Sequence, residues 1–137
     1  MEHETHVTVK QAKILKSLGF DWKCDHFYFK MGDTPERCWP AEDWNASTDE
    51  RFCSSPALHI AQKWLREKRG VDIVVNPEFK DDKRIGYDWN VHDDGSGHYA
   101  LRGTLPYGET YEDALSAGLT AALELLELKP TLQGDIK

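Results

Sequence analysis

The sequence predicts an α+β fold in which an antiparallel three-stranded meander packs with helices. Apolar residues recur at helical spacing in three segments, and they alternate with polar residues in three consecutive segments between the last two helices. Glycine, proline and acidic turn residues separate these segments. The predicted helices span residues 8–19, 57–69 and 110–128, the predicted strands span 71–77, 84–92 and 98–105, and a short N-terminal strand or hairpin is expected near 26–31.

Length and composition indicate one compact domain. The chain has 137 residues, of which 39% are hydrophobic and 30% are charged. We expect residues 1–55 to supply a helix, a strand and a long aromatic loop, and residues 56–137 to form an α-β-β-β-α core. No apolar run approaches the roughly 18 residues of a membrane span, and residues 1–6 lack the features of a signal peptide. The sequence therefore predicts a cytoplasmic protein with no membrane partner.

The first predicted helix has signals at both ends. Thr8 and Gln11 have the spacing of a capping box, Val7 stands where a hydrophobic staple would, and Gly19 supplies the C-terminal stop. Residues 26–31 then alternate as a strand does. From there to Pro56 no period is clear, so a long ordered loop is expected.

The second helix and the meander are better specified. Ser55 is the expected N-cap of helix 57–69, and Pro56 falls at its first position. In the expected register His92 pairs with His98 and Trp89 with Leu101. In the first hairpin the expected pairs are Ile73 with Trp89 and Val75 with Tyr87. Every inward pair is then apolar or aromatic, apart from Tyr87 over Gly103.

The last helix is apolar over more than half of its circumference. Such a helix must be covered on two sides, either within the fold or at a dimer interface. Gly118 lies inside it, where glycine is less favourable than alanine by about 1 kcal/mol. We therefore expect another backbone or a tryptophan to approach this glycine closely.

The two histidines that flank the final hairpin loop form the first candidate site. In the expected register the imidazoles of His92 and His98 project from neighbouring strands, and Asp93 or Asp94 could add an oxygen ligand. The same residues are what a solvated polar hairpin loop requires, and this is the simpler interpretation. No cofactor is expected, and a divalent metal here is the alternative.

Cysteine chemistry offers a weaker candidate. Cys24, His26, Cys38 and Cys53 are zinc-ligand types, but structural zinc sites present ligands in pairs two to four residues apart, and these do not. A cysteine nucleophile with His26 or His59 has no local motif to support it. Without a secretory signal the thiols are expected to stay reduced, as buried apolar groups.

Charge argues against nucleic acid as the partner. The net charge is −7, from 17 basic and 24 acidic residues. An α-β-β-β-α order is that of double-stranded-RNA-binding domains, but these have a basic cluster where this chain has Glu109, Glu112 and Asp113. The basic face of helix 57–69, which includes His59, Lys63 and Arg66, keeps nucleic-acid binding as an alternative.

The aromatic loop favours a protein partner. Trp39, Trp44 and Phe52 either cap the core or serve as interface anchors, because buried tryptophan and tyrosine dominate interface hot spots. We predict a candidate interaction surface made of Trp39, Trp44, Phe52, His59, Lys63 and Arg66.

Two of the predicted helices resemble segments of a known group of proteins. Residues 58–70 (LHIAQKWLREKRG) and 110–119 (TYEDALSAGL), and more loosely residues 11–20, resemble small uncharacterised proteins of gut Bacteroidetes and their phages or prophages. The matching segments are helix cores, so the resemblance implies an accessory role in a mobile element and transfers no site residues.

The leading hypothesis is a non-enzymatic protein-interaction module that binds another protein or a second copy of itself. Its alternatives are a metal-dependent or cysteine-based hydrolase and a nucleic-acid-binding protein.

Overall fold

The computed structural model describes residues 5–30, 32, 34–46, 49–93, 99–102 and 110–136, with the backbone alone for 99–102 and 128–136. These residues form helices and two antiparallel three-stranded sheets, which confirms the α+β class. The helices are α1 (Val9–Ser17), α2 (Leu58–Arg69) and α3 (Tyr111–Ile136). The strands are β1 (Cys24–Phe29), β2 (Glu36–Glu42), β3 (Phe52–Ser54), β4 (Val71–Lys80), β5 (Lys83–Asp93) and β6 (Tyr99–Arg102).

The chain divides into two compact units. The first comprises Met1–Ile60 with Leu126–Lys137, and the second comprises Ala61–Leu125. Helices α2 and α3 each contribute residues to both units. Whether the two units act as the one domain expected from composition stays a prediction.

In the first unit, α1 begins and ends as its sequence predicts. The Thr8 hydroxyl accepts a hydrogen bond from the Gln11 backbone N–H at 3.1 Å, and the Gln11 side chain accepts one from the Thr8 N–H at 2.8 Å. This reciprocal pair is a capping box. Val7 is fully buried beside it, and Gly19 follows the helix with a φ of +95°.

The sheet of the first unit has the strand order β2-β1-β3. The strand predicted near 26–31 is present as β1. The predicted long loop is in part wrong, because β2 and β3 lie within it. Residues on both faces of β2 are largely exposed, so this strand lacks the alternation that identifies a half-buried strand. β3 has only three residues, which is too short to show a period.

The second unit contains the predicted meander, with the strand order β4-β5-β6. The expected register of its first hairpin is wrong by two residues: Ile73 lies opposite Val91, and Val75 lies opposite Trp89. The turn is shorter than expected, because Asp81 and Asp82 alone connect Lys80 to Lys83, with φ of +52° and +65°. Positive φ at both central residues is typical of a two-residue hairpin turn.

The second hairpin has a shifted register as well. His92 lies opposite Ala100 and Asp93 lies opposite Tyr99, so the expected pairing of His92 with His98 is wrong. Asp93 is only 3% exposed and also pairs with Val71. It therefore extends β5, whereas the sequence suggested that it begins the loop.

Helix α3 covers one face of this sheet. A Cβ added at Gly118 would lie 2.7 Å from Cγ2 of Ile73 and 3.4 Å from Cβ of Trp89, which confirms the close approach expected at this glycine. The chain itself buries most of the wide apolar arc. This arc therefore gives no argument for a dimer interface. The buried side chains of the arc are Ala114, Leu115, Leu119, Ala122, Leu123 and Leu126.

The end of α3 differs from the expectation. Its backbone stays helical through Pro130 to Ile136, whereas residue 128 is the predicted end. A proline removes one hydrogen bond and favours a helix end, but a helix that continues on both sides can accommodate it. Within the described part of the chain, no helix has both the length and the apolarity that crossing a bilayer requires.

Candidate functional site

Two histidines and an aspartate come together in the first unit. The ring centroids of His6 and His26 are 4.1 Å apart, and Nδ1 of His26 lies 2.8 Å from Oδ1 of Asp25. One ligand atom from each of the three side chains lies within 4.8 Å of the other two. All three residues are partly exposed, so an ion or small molecule from solvent could reach them.

Backbone hydrogen bonds fix the position of both histidines. His6 forms a single antiparallel bridge with Ala57, supported by Val7 N–H to Pro56 O at 3.0 Å and Leu58 N–H to Thr5 O at 2.8 Å. The carbonyl of His26 accepts from Ser55 N–H at 3.0 Å. The stretch 55–58 therefore binds the backbone segments on which both imidazoles lie.

A break in the β1–β2 ladder accounts for the orientation of Asp25. Cys24 pairs with Glu42 and His26 pairs with Arg37, so the register shifts between them. Neighbouring residues of a regular strand point to opposite faces, whereas an irregularity of this kind redirects a side chain. The carboxylate of Asp25 can therefore reach the imidazole of the residue that follows it.

The carboxylate is held in its charged form. The hydrogen bond from His26 lowers the pKa of Asp25 below its usual 3.8, the charge of His26 and that of Arg37 act in the same direction, and partial burial opposes them. Two nitrogen donors and one anionic oxygen donor thus converge. This set resembles the two-histidine, one-carboxylate sites that bind transition metals.

Sequence reasoning found only one member of this group. His26 was considered together with the cysteines, and neither His6 nor Asp25 was identified. Asp25 and His26 are neighbours in the sequence, but in a regular strand their side chains would point to opposite faces of the sheet. No spacing rule relates either of them to His6.

The predicted metal site at the final hairpin is only partly described. His92 is exposed and Asp93 is buried, so these neighbours point to opposite faces of the sheet. Asp94 and His98 lie outside the described residues. The register that placed the two imidazoles opposite each other is wrong, and metal binding by His92, Asp93, Asp94 and His98 stays a prediction.

Among the described residues, no cysteine belongs to a group of three or more potential metal ligands. Burial, and next the charge of Asp25, raises the pKa of the Cys24 thiol to about 12, and burial raises the pKa of Cys53. These two thiols therefore stay protonated near neutral pH and give no support to a cysteine nucleophile.

The aromatic residues of the predicted interaction surface separate into two groups. Phe52 stacks with Trp44 at a centroid distance of 5.8 Å, and Phe27 lies 4.3 Å from Trp44. The indole N–H of Trp44 donates to the carbonyl of Cys24 at 2.8 Å. Trp44 thus packs against Phe27 of β1 and Phe52 of β3, whereas Trp39, on β2, is 79% exposed.

The polar members of that surface lie on α2. His59, Lys63 and Arg66 are all exposed, as the helical spacing predicts. The ammonium group of Lys63 lies 3.9 Å from the Glu67 carboxylate, an exposed pair one helical turn apart. Pairing with an acidic residue reduces the positive charge that this face offers to a phosphate.

The second unit exposes an aromatic surface that sequence reasoning missed. We define the tip surface as Phe79, Arg84, Tyr87 and Tyr111. Cζ of Arg84 lies 5.5 Å from the Phe79 ring centroid and 5.3 Å from that of Tyr87, and its Nη1 donates to the Tyr87 hydroxyl at 3.1 Å. Tyr111 meets Tyr87 edge to face at 6.0 Å.

This surface lies where the sheet extends beyond the first residue of α3. Phe79 pairs with Arg84 and Pro77 with Tyr87, on the face that α3 covers further along at Trp89 and Ile73. Phe79 is 57% exposed and Tyr111 is 41% exposed. Alternation along β5 indicated this face for Tyr87 but the opposite face for Arg84, which a shift of register at the hairpin end places opposite Phe79.

Comparisons add no identity. The chain matches no protein-family model, and neither the curated proteins nor the solved structures give a match.

Proposed function

We propose that this chain is a non-enzymatic protein-interaction module of the cytoplasm, which binds an acidic and partly apolar segment of another protein at the tip surface. The supporting observation is the guanidinium group of Arg84, whose Cζ lies 5.5 Å from the centroid of the exposed Phe79 ring and 5.3 Å from that of the half-buried Tyr87 ring. Arginine and tyrosine are enriched among the residues that dominate interface energies.

The chemistry of the partner follows from this face. Arg84 is its exposed charge, because Lys80 and Lys83 form the next pair and alternate to the other side of the hairpin. The guanidinium lies beside both rings and donates to the Tyr87 hydroxyl through Nη1, which leaves its other N–H groups to donate to a carboxylate. The rings beside it offer apolar contact, so an aspartate or glutamate next to apolar side chains fits best.

The resemblance to proteins of Bacteroidetes phages and prophages supports a narrower proposal. In that setting the partner is a protein of the same mobile element or of its host, and the module is an accessory factor. Self-association and nucleic-acid binding are the other outcomes of the test below.

Selection from a random-peptide phage library tests the proposal without a known partner. We expect the immobilised protein to enrich peptides in which a carboxylate adjoins apolar residues. Arg84→Ala should weaken their binding by at least about tenfold, equivalent to about 1.4 kcal/mol. Binding is measured by calorimetry with synthetic peptides.

Arg66→Ala is the matched control, because it removes an exposed arginine from α2. Peptides that bind equally well to the wild type and to Arg84→Ala would overturn the proposal. If the chain dimerises and Phe79→Ser abolishes the dimer, the tip surface binds a second copy of the chain and not another protein. If the chain binds oligonucleotides in a salt-sensitive way and Arg66→Ala weakens that binding, the partner is a nucleic acid.

A further inference from the structure

We propose that His6, Asp25 and His26 bind one divalent transition-metal ion, with Zn²⁺ as the representative ion. The site lies in the first unit and is independent of the tip surface. It shares no residue with the site predicted around His92. The inference rests on the convergence of three side-chain donors within 4.8 Å of one another.

The donor set selects the class of metal. Imidazole nitrogen suits zinc, copper and nickel, whereas calcium and magnesium prefer sites made of oxygen alone. Two imidazoles and one carboxylate are also a ligand set found in zinc enzymes. Among the described residues this is the one group of three such side chains whose donors come this close.

The distances require little movement. Ligands that lie about 2.0–2.2 Å from zinc in a tetrahedral site are roughly 3.3–3.6 Å from one another. The Nδ1 of His26 and Oδ1 of Asp25 are 2.8 Å apart because the imidazole N–H donates to the carboxylate. Binding of the ion through these two atoms therefore displaces this proton and moves the atoms slightly apart. Small rotations of the side chains would complete the arrangement around one ion.

The backbone supports the site before any ion arrives. The bonds from Val7 to Pro56 and from Ser55 to His26 connect both histidine-bearing segments to the stretch 55–58. The buried hydroxyl of Tyr28 donates to the carbonyl of Val7 at 2.7 Å and adds a further connection. Binding therefore does not need to order a long loop, a cost that weakens flexible sites.

Three protein ligands leave one tetrahedral position open. Structural zinc sites normally use four protein ligands, whereas three with a solvent position are typical of sites that bind an exogenous ligand. The partial exposure of His6, Asp25 and His26 agrees with the second type. We infer that water or a small anionic ligand occupies the fourth position.

Calorimetric titration of the reduced, tag-free full chain with zinc chloride tests the site. We expect one ion per chain. His6→Ala, His26→Ala and Asp25→Asn should each lower the affinity by at least about tenfold, since loss of even an indirect supporting contact costs 10- to 100-fold. Asp25→Asn preserves the shape of the side chain, so it separates loss of a ligand from loss of folding, and circular dichroism verifies that each variant is folded.

His59→Ala is the matched control, because it removes an exposed histidine of α2 that belongs to neither metal site, and it should bind zinc as the wild type does. Failure to bind one equivalent of zinc at millimolar concentration would overturn the proposal. So would folded Asp25→Asn and His6→Ala variants that retain wild-type affinity. Loss of binding in Cys38→Ser with full binding in His6→Ala would assign the ion to a thiol site and would also overturn it.

Discussion

Burial and the neighbouring charge of Asp25 raise the pKa of the Cys24 thiol from 9.0 to about 12. The unfolded chain then loses this proton near pH 9, whereas the folded chain keeps it. The stabilising effect is complete below pH 9 and is lost as the pH rises towards 12. We expect stability to fall by about 1.4 kcal/mol per pH unit in that window.

Urea unfolding at pH 8 and at pH 10.5 measures this effect. Tyr28 and Cys53 also have raised pKa values and contribute in the same direction, so the informative quantity is the difference from Cys24→Ala. The variant should lose less stability between the two pH values than the wild type. An equal loss in both proteins would show that Cys24 ionises normally in the folded chain.

Gly118 is the second residue whose surroundings define a prediction. Gly118→Ala gains about 1 kcal/mol of helix propensity, but its Cβ would lie 2.7 Å from Cγ2 of Ile73. Overpacking of this kind costs about 1–3 kcal/mol. We therefore expect a net destabilisation of up to about 2 kcal/mol in urea unfolding.

Glu124→Ala, at an exposed position on the same helix, should change stability by less than about 0.5 kcal/mol. If Gly118→Ala is more stable than the wild type, the close packing of α3 on Ile73 and Trp89 is incorrect.

Some of these residue-level features could be predicted from the sequence and others could not. The close packing at Gly118 could be predicted from the sequence, because glycine is unfavourable inside a helix and its presence there indicates that a neighbouring group leaves no room for a side chain. The group of His6, Asp25 and His26 depends on a ladder irregularity and on a bridge between residues 51 positions apart. Neither feature leaves a periodic signal in the sequence.

The turn that connects β4 to β5 gives a testable expectation about stability. Asp82 has a φ of +65°, which costs a non-glycine residue roughly 1 kcal/mol, and an acidic residue followed by glycine is preferred in two-residue turns. Asp82→Gly should therefore raise the stability by about 0.5–1 kcal/mol. The urea midpoint of the variant measures this change.

Asp82→Ala is the control, because it removes the same carboxylate without the freedom of glycine, and it should lower the stability. If Asp82→Gly and Asp82→Ala are equally destabilising, the turn does not consist of Asp81 and Asp82 alone.

The same hairpin explains a partial success of sequence reasoning. The alternation placed Val71, Ile73 and Val91 on the buried face, which the structure confirms. The partner of Ile73 was wrong by two residues, because a shift of two leaves side chains on the same face and the apolar pattern unchanged. Nearer the turn, an irregularity places Arg84 opposite Phe79, which alternation does not predict. Only the turn length fixes the register, and a pair of aspartates is a weak signal for a tight turn.

The sheet of the first unit was less predictable. β2 is irregularly paired and largely exposed, and β3 is very short. Their stability comes from contacts between aromatic rings of distant chain segments, such as Phe27 with Phe52 at 5.5 Å. The absence of a clear period predicted a long ordered loop here, and the pairing of β2 and β3 with β1 is visible only in the folded chain.

For the whole molecule, the uneven distribution of charge guides the choice of partner. Residues 57–84 contain seven basic and five acidic side chains, and residues 85–128 contain one basic and eight acidic side chains. Arg84 ends the basic segment, next to Tyr87 at the start of the acidic one. The basic excess lies on α2, whereas residues 78–84 at the hairpin end contain three basic and three acidic side chains. An acidic partner at the tip surface therefore depends on direct contact with Arg84, and it is repelled further along the second segment.

The measurement that tests the interaction account most directly is a double-mutant cycle between Arg84 and the carboxylate of a selected peptide. Arg84→Ala is combined with replacement of the peptide aspartate or glutamate by its amide, and calorimetry gives the four affinities. We predict a coupling free energy of at least about 1 kcal/mol, as for other close charge pairs. Additive effects, within about 0.5 kcal/mol, would contradict an acidic partner bound at the tip surface.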